Sequence, residues 1–235
     1  MNKKNDKGSI LVILSHPDDE SFPMGGTLAK YASEGVQVTL VCATRGEAGI
    51  PGMEPALAGK LREDELRCAA RVLGVREVQF LDYQDGELDQ VDPEEIIERL
   101  AEVIRQVKPK AVITFGPDGI SGHPDHLAIH NAATAAFERA GHEAHLYYIA
   151  PSEATLQGCG VEASTEIAGG PVAAIDVGDH LVKKVRAMQC HSSQNPPFSG
   201  KPEEEAMRMA CHEYFTLASF SQEQPSMKGL LNFNI

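Results

Sequence analysis

Three runs made almost wholly of apolar or β-branched residues, at 10–15, 36–44 and 111–115, constrain the fold of this chain more than any other feature. A strand with one wet face alternates apolar and polar residues. A run without alternation belongs to a strand covered on both faces, as in a parallel sheet flanked by helices. Further strand patterns lie at 77–81 and 145–150, and helix patterns at 25–33, 59–73, 93–107 and 125–140 fall between the strands with short connections. The alternation predicts an α/β fold, a Rossmann-like, mostly parallel sheet with helices on both faces. Helix punctuation agrees. Gly74 and Gly141 stand where two helices should stop, and Asp92-Pro93-Glu94-Glu95 supplies a cap, a first-turn proline and first-turn acids.

After Ala150 the rhythm changes. Residues 151–171 read as a loop or lid, 172–177 as a strand, 180–190 as a helix and 192–202 as a loop. A short helix at 203–210 and a strand at 214–217 follow. The 235 residues suit one core. Residues 1–150 are expected to form the Rossmann-like catalytic core and 151–235 a C-terminal extension of the same domain.

Charge and cysteines narrow the function classes. With 21 basic and 34 acidic residues the net charge is −13, which argues against nucleic acid or an anionic membrane as partner. The apolar run 10–14 is too short for a signal-peptide core or a membrane span. The five cysteines are odd in number, scattered and free of any Cys-x-x-Cys pair, so no disulfide framework is expected and a reducing cytoplasm is the simple location.

Two short motifs carry the chemistry. His16-Pro17-Asp18-Asp19-Glu20 follows the first strand, and His123-Pro124-Asp125-His126 follows the fourth. Open parallel sheets bind ligands beyond the carboxyl ends of strands, where strand order reverses. With strand order 3-2-1-4-5 that crevice lies between strands one and four, so both motifs should meet there. A dinucleotide site is excluded, because Asp18, Asp19 and Glu20 would repel a pyrophosphate and Gly25-Gly26 comes too late. A catalytic zinc takes three His or carboxylate ligands and leaves a position open. His16, Asp19 and His126 would supply that set, which also accepts Fe2+ or Co2+. Asp18 is the natural general base. His123 would be a general acid or oxyanion donor, with Asp125 accepting its other ring proton and orienting it. His130, one helical turn beyond His126, is read as a packing residue, and His142, His145, His180 and His212 as ordinary.

These residues resemble the zinc-dependent N-acetylglucosaminyl deacetylase family, also called PIG-L or LmbE-like. The likeness extends through Ala43-Thr44-Arg45-Gly46-Glu47-Ala48-Gly49, Arg62-Glu63-Asp64-Glu65-Leu66, Leu73-Gly74-Val75, Asp85-Gly86 and His191-Ser192-Ser193-Gln194. It implies the same ligands, His16, Asp19 and His126, the base Asp18 and the acid or oxyanion histidine His123. It adds Arg62 and Asp85 as substrate contacts. Arg45 and Glu47 follow the second strand and could line the crevice; His191 is read as an interior structural histidine. One departure is Ser121, where some members place a tyrosine two residues before the second motif.

The expected activity is removal of an N-acetyl group from an N-acetylglucosamine-type sugar or small glycoconjugate. A zinc amidase of a thiol conjugate or an O-acetyl esterase would use the same parts. A metal- or sugar-binding protein without turnover would not need Asp18, His123 and Asp125, and a two-metal phosphoesterase would need a second ligand set. The resemblance also implies a homo-oligomer, a trimer or hexamer, with the sugar's aglycone read by loops 46–60 and 151–171.

Overall fold

The computed structural model describes residues 8–141, 143–150, 172–196 and 200–220. Among these the strands form one seven-stranded sheet in the order β3-β2-β1-β4-β5-β7-β6. They are β1 (Ser9–Leu14), β2 (Gln37–Thr44), β3 (Glu77–Tyr83), β4 (Ala111–Phe115), β5 (His145–Ile149), β6 (Val172–Asp176) and β7 (His212–Phe220). The first five run parallel, and β7 pairs antiparallel with both β5 and β6. The three runs are the central strands, and Ile10 to Leu14, Val38 and Leu40 to Ala43, and Ala111 to Phe115 are all buried. Burying each such side chain is worth roughly 1.5–3 kcal/mol relative to exposure. The expected strand order and the mostly parallel α/β architecture are both present. The two C-terminal strands extend that same sheet.

The helices are α1 (Gly25–Ser33), α2 (Pro55–Leu73), α3 (Pro93–Val107), the single turn α4 (Gly119–Gly122), α5 (Pro124–Ala140), α6 (Leu181–Cys190) and α7 (Pro202–Ala206). Gly74 and Gly141 end α2 and α5 in the left-handed conformation, and Asp92 accepts from Glu94 N to cap α3. Helix α2 starts four residues before the expected position. Glu54 caps it, accepting from Leu57 N, and Pro55 opens it, a start signal placed ahead of the apolar pattern. Strand β7 is longer than expected at both ends, and α7 is shorter than the expected 203–210. The expected lid at 151–171 lies outside the described residues.

One expectation is overturned. Cys68 on α2 and Cys190 at the end of α6 form a disulfide, with Cα atoms 5.8 Å apart and 122 residues between them in sequence. Cys42 is a buried free thiol and Cys211 an exposed one. Scattered spacing says nothing about which cysteines meet when two helices distant in sequence pack side by side, so the cysteines no longer favour a reducing compartment. No helix among the described residues is long and apolar enough to cross a membrane.

The C-terminal strands are tied to the first helix by a buried ion pair. Glu213 on β7 accepts from Lys184 Nζ (2.6 Å), Gly26 N (3.0 Å) and Thr27 N (2.6 Å), which places a carboxylate at the α1 N-terminus. Gly26 permits this approach, because a Cβ there would lie 2.7 Å from Val177 Cβ. Both charged side chains are almost fully buried, at 3% and 2% exposure. Removing one partner of such a pair leaves an uncompensated charge and costs about 3–5 kcal/mol. Lys184→Met should therefore lower the urea-unfolding free energy by about 3 kcal/mol or more, and a change under 1 kcal/mol would contradict this role.

Candidate active site

Strands β1 and β4 pair only from Ile10↔Ala111 to Val12↔Ile113, while both continue beyond that point. They part at their carboxyl ends and open the crevice that receives both motifs. Hydroxyl groups hold the two sides at a fixed distance. Thr44 Oγ1 donates to Ser15 O (3.0 Å), Ser15 Oγ donates to Asp125 O (3.0 Å) and Thr114 Oγ1 donates to Ile13 O (2.9 Å).

Within the crevice His16, Asp19 and His126 converge. His16 Nδ1 lies 3.2 Å from His126 Nε2 and 3.7 Å from Asp19 Oδ2, and Asp19 Oδ1 lies 3.3 Å from His126 Nε2. The opposite ring nitrogens are already committed. His126 Nδ1 donates to Gly119 O at 2.8 Å, and His16 Nε2 lies 3.0 Å from both Asp85 Oδ1 and Asp125 Oδ2. Each imidazole therefore turns a lone pair toward the other and toward a carboxylate. Three electron-rich atoms facing one another call for positive charge among them, a proton or a metal ion. Tetrahedral zinc ligands at ~2.0–2.1 Å from the metal lie roughly 3.3 Å from one another, close to the observed spacings. The donor set fits zinc.

Titration behaviour reports the same excess of negative charge. Burial opposes a charged His16, but its hydrogen bonds to Asp125 and Asp85 and the charge of Asp19 outweigh it and raise its pKa to about 10. Burial also opposes a charged His126, and Asp19 raises it. Asp19 would be raised by burial, yet His126 and His16 hold it well below the usual carboxylate range. A cation between these residues supplies the positive charge that they otherwise recruit as protons.

Around this centre the other expected site residues take different places. Asp18 is pushed up to about 7 by burial and by Asp19 beside it, with the Arg62 guanidinium opposing. Its side chain keeps 24% exposure, so it remains reachable from the crevice. His123 is exposed, caps α5 by accepting from Asp125 N at Nδ1 (3.2 Å), and packs edge-on to His16 with ring centroids 4.9 Å apart. Burial and the neighbouring imidazoles lower its pKa, so it is a neutral donor through Nε2 near pH 7.

Asp125 does not orient His123 as expected. Its carboxylate turns back to His16 and accepts from Gly86 N (2.8 Å) and Leu88 N (3.1 Å), because the helix turn after His123 directs it across the crevice. Asp85 joins it on His16 and accepts from Ala48 N (3.0 Å). Burial would raise both carboxylates, and the His16 hydrogen bond holds both down. Two metal-type donor groupings share His16: His16, His123 and His126 on one side, and His16, Asp85 and Asp125 on the other. The second is filled by backbone amides, so the Nδ1 side, with Asp19, is the open one.

Arg62 lies inside rather than on a solvated helix face, at 4% exposure. It donates to Gly46 O (3.1 Å) and Pro17 O (2.6 Å) and pairs with Asp18 Oδ2 at 3.4 Å. A side chain at Gly46 or Gly49 would overlap its guanidinium, which accounts for both glycines after β2. Glu47 Oε1 accepts from Asp85 N (2.9 Å). Arg45 pairs with Glu63 and Asp82 and lies over the Phe80 ring, on the wall of a neighbouring cleft of about 600 Å³. His130 donates to Phe115 O (2.9 Å), in the packing role expected for it. Contacts that the sequence did not single out include Phe115, stacked on His126 at 4.1 Å, and Glu20 with His191, which meet below Asp18. If Asp85 serves His16, then Asp85→Asn should weaken zinc binding about 10- to 100-fold in chelator competition. A rise in KM with unchanged zinc affinity would return Asp85 to the role of a substrate contact.

The profile of the GlcNAc-PI de-N-acetylase (PIG-L) family matches residues 11–137, which include both motifs. The 1D-myo-inositol 2-acetamido-2-deoxy-alpha-D-glucopyranoside deacetylase of Actinosynnema mirum is 33% identical over 227 residues, covering 79% of this chain and 80% of its own. Against several other curated relatives of that name the chain spans about half their length. Among solved structures, the N,N'-diacetylchitobiose deacetylase of Pyrococcus horikoshii aligns with a TM-score of 0.68 at 24% identity, over 93% of this chain and 87% of its own. The 4-carboxy-2-hydroxymuconate hydratase GalB of Pseudomonas putida KT2440 aligns with a TM-score of 0.68 at 22% identity, over 95% and 99%. One fold thus carries two chemistries, and the structural likeness speaks for the fold alone. Sequence similarity and the matched motifs are more specific: this chain belongs to the PIG-L family of GlcNAc-PI de-N-acetylases.

Proposed function

We propose that this protein is a metal-dependent N-deacetylase that hydrolyses the acetamide of an N-acetylglucosamine-type sugar in a small glycoconjugate. The observation that carries the reading is the division of labour between adjacent carboxylates: Asp19 joins the two imidazoles, while Asp18 pairs with Arg62, stays reachable from the crevice and has its pKa raised by burial and by Asp19. A general base works best when its pKa lies near the operating pH. The inositol-linked acetamido sugar named for the Actinosynnema relative supports this substrate class.

His16, Asp19 and His126 would hold the metal, with Asp85 and Asp125 fixing the His16 tautomer. Zinc there would lower the pKa of water and polarise an acetyl carbonyl. Asp18 takes the proton of the attacking water as the new C–O bond forms. His123 Nε2 donates to the oxygen that gains negative charge. The proton held by Asp18 then passes to the departing nitrogen as the C–N bond breaks, leaving acetate and a free amine. Arg62 keeps the Asp18 carboxylate oriented between these two transfers.

The test is acetate release from an N-acetylglucosaminyl inositol, with an O-acetyl sugar as comparison. The zinc-loaded protein should release acetate and free amine from the first in equal amounts. Asp18→Asn should lower kcat by at least about 100-fold while zinc stays bound, in the range of a lost general base. Preferential release from the O-acetyl sugar, or a fully active Asp18→Asn, would overturn the assignment.

A further inference from the structure

Asp18 has a backbone φ of 115°, in the region that residues with side chains rarely adopt. Such conformations persist only where the surroundings over-determine them, and they concentrate at functional sites. Two residues outside the donor set hold this one. Glu20 Oε2 accepts from Asp18 N at 3.1 Å, and Glu20 Oε1 receives Ser21 Oγ and, at 2.8 Å, His191 Nε2. Both Glu20 and His191 have side chains with 0% exposure. His191 has no other side-chain partner among the described residues, since its Nδ1 meets none.

The pair joins distant parts of the chain. His191 follows the last turn of α6, next to Cys190, whose disulfide fastens α6 to α2, the helix that carries Arg62. Asp18 is thus held through its backbone by Glu20, which His191 anchors beside the end of α6, and through its carboxylate by Arg62 on α2, and α6 and α2 are covalently linked. A buried carboxylate–imidazole pair is a poor way to stabilise a core, because desolvation offsets the Coulombic gain and apolar packing does as well. Its worth here is direction: with Ser21, His191 holds one Glu20 oxygen so that the other stays aimed at Asp18 N.

We propose that Glu20 and His191 are a positioning pair that sets the Asp18 backbone and so aims its carboxylate at the reacting water. The proposal rests on the reading of Asp18 as the base. Misplacing a reacting group by about 1 Å can cost on the order of 100-fold in rate. Glu20→Gln, in which one amide cannot accept from both partners, should lower kcat about 10- to 100-fold, with KM within about twofold and one zinc per chain. His191→Leu, which keeps volume but removes the donor, should do the same, and His191→Gln, which restores a donor, should recover most of the loss. In metal-free protein, the Asp18 amide resonance should shift upfield in Glu20→Gln and His191→Leu but not in His191→Gln.

Wild-type kcat in Glu20→Gln and His191→Leu at full zinc load would overturn the proposal, as would losses that merely track zinc content. If Glu20→Gln fails to fold, the Leu and Gln variants at 191 make the same comparison. An active Asp18→Asn would instead remove the base assignment. An inactive Asp18→Asn beside a fully active Glu20→Gln would remove only the positioning pair.

Discussion

Two imidazole lone pairs facing each other across 3.2 Å, with a carboxylate completing the triangle, are the constraint on which the rest of this structure depends. Such an arrangement repels itself unless a proton or a cation lies within it. Asp85 and Asp125 behind His16 and Gly119 O behind His126 fix the tautomers that create it. The same acids raise the pKa of His16, so the site attracts positive charge, either as a proton or as a metal ion. The hydrogen bonds behind the donors therefore shape the site's fit to a cation as much as the donors themselves do.

The fold serves that arrangement by bringing three carboxyl-terminal loops together. The β1 turn supplies His16, Asp18 and Asp19, the loop after β3 supplies Asp85, and the start of α5 supplies Asp125 and His126. Continuous burial makes the β1–β4 floor stiff, and the Ser15, Thr44 and Thr114 hydroxyls tie its ends to one another. A donor triangle with sides of 3.2 to 3.7 Å tolerates little movement, so it rests on buried strands rather than on exposed loop tips. Asp18 shares this turn yet does different work. Burial and Asp19 raise the pKa of its carboxylate, and Arg62 opposes them.

Much of this was legible in the sequence because the relevant signals are local. Strands covered on both faces lose their alternation, and strand order places the turns after β1 and β4 in one crevice. The meeting of His16, Asp19 and His126 follows from the strand order and the motif spacing. What was not legible depends on contacts far apart in sequence. Asp125 lies two residues from His123, and proximity suggested that partner, but the first turn of α5 sends its carboxylate to His16, 109 residues away. Arg62 looks like part of a charged helix surface until the glycines at 46 and 49 open a channel for it. The Cys68–Cys190 bridge and the Glu20–His191 pair span 122 and 171 residues and leave no local signature.

The central claim is that one cation is held by two imidazoles and one carboxylate, His16, His126 and Asp19. X-ray absorption of the protein loaded with one zinc equivalent tests it most directly. The account predicts a first shell of nitrogen and oxygen only, at ~2.0–2.1 Å, with outer-shell scattering from two imidazole rings. Scattering from three imidazoles would put His123 in the ligand set and contradict it, as would a sulfur ligand.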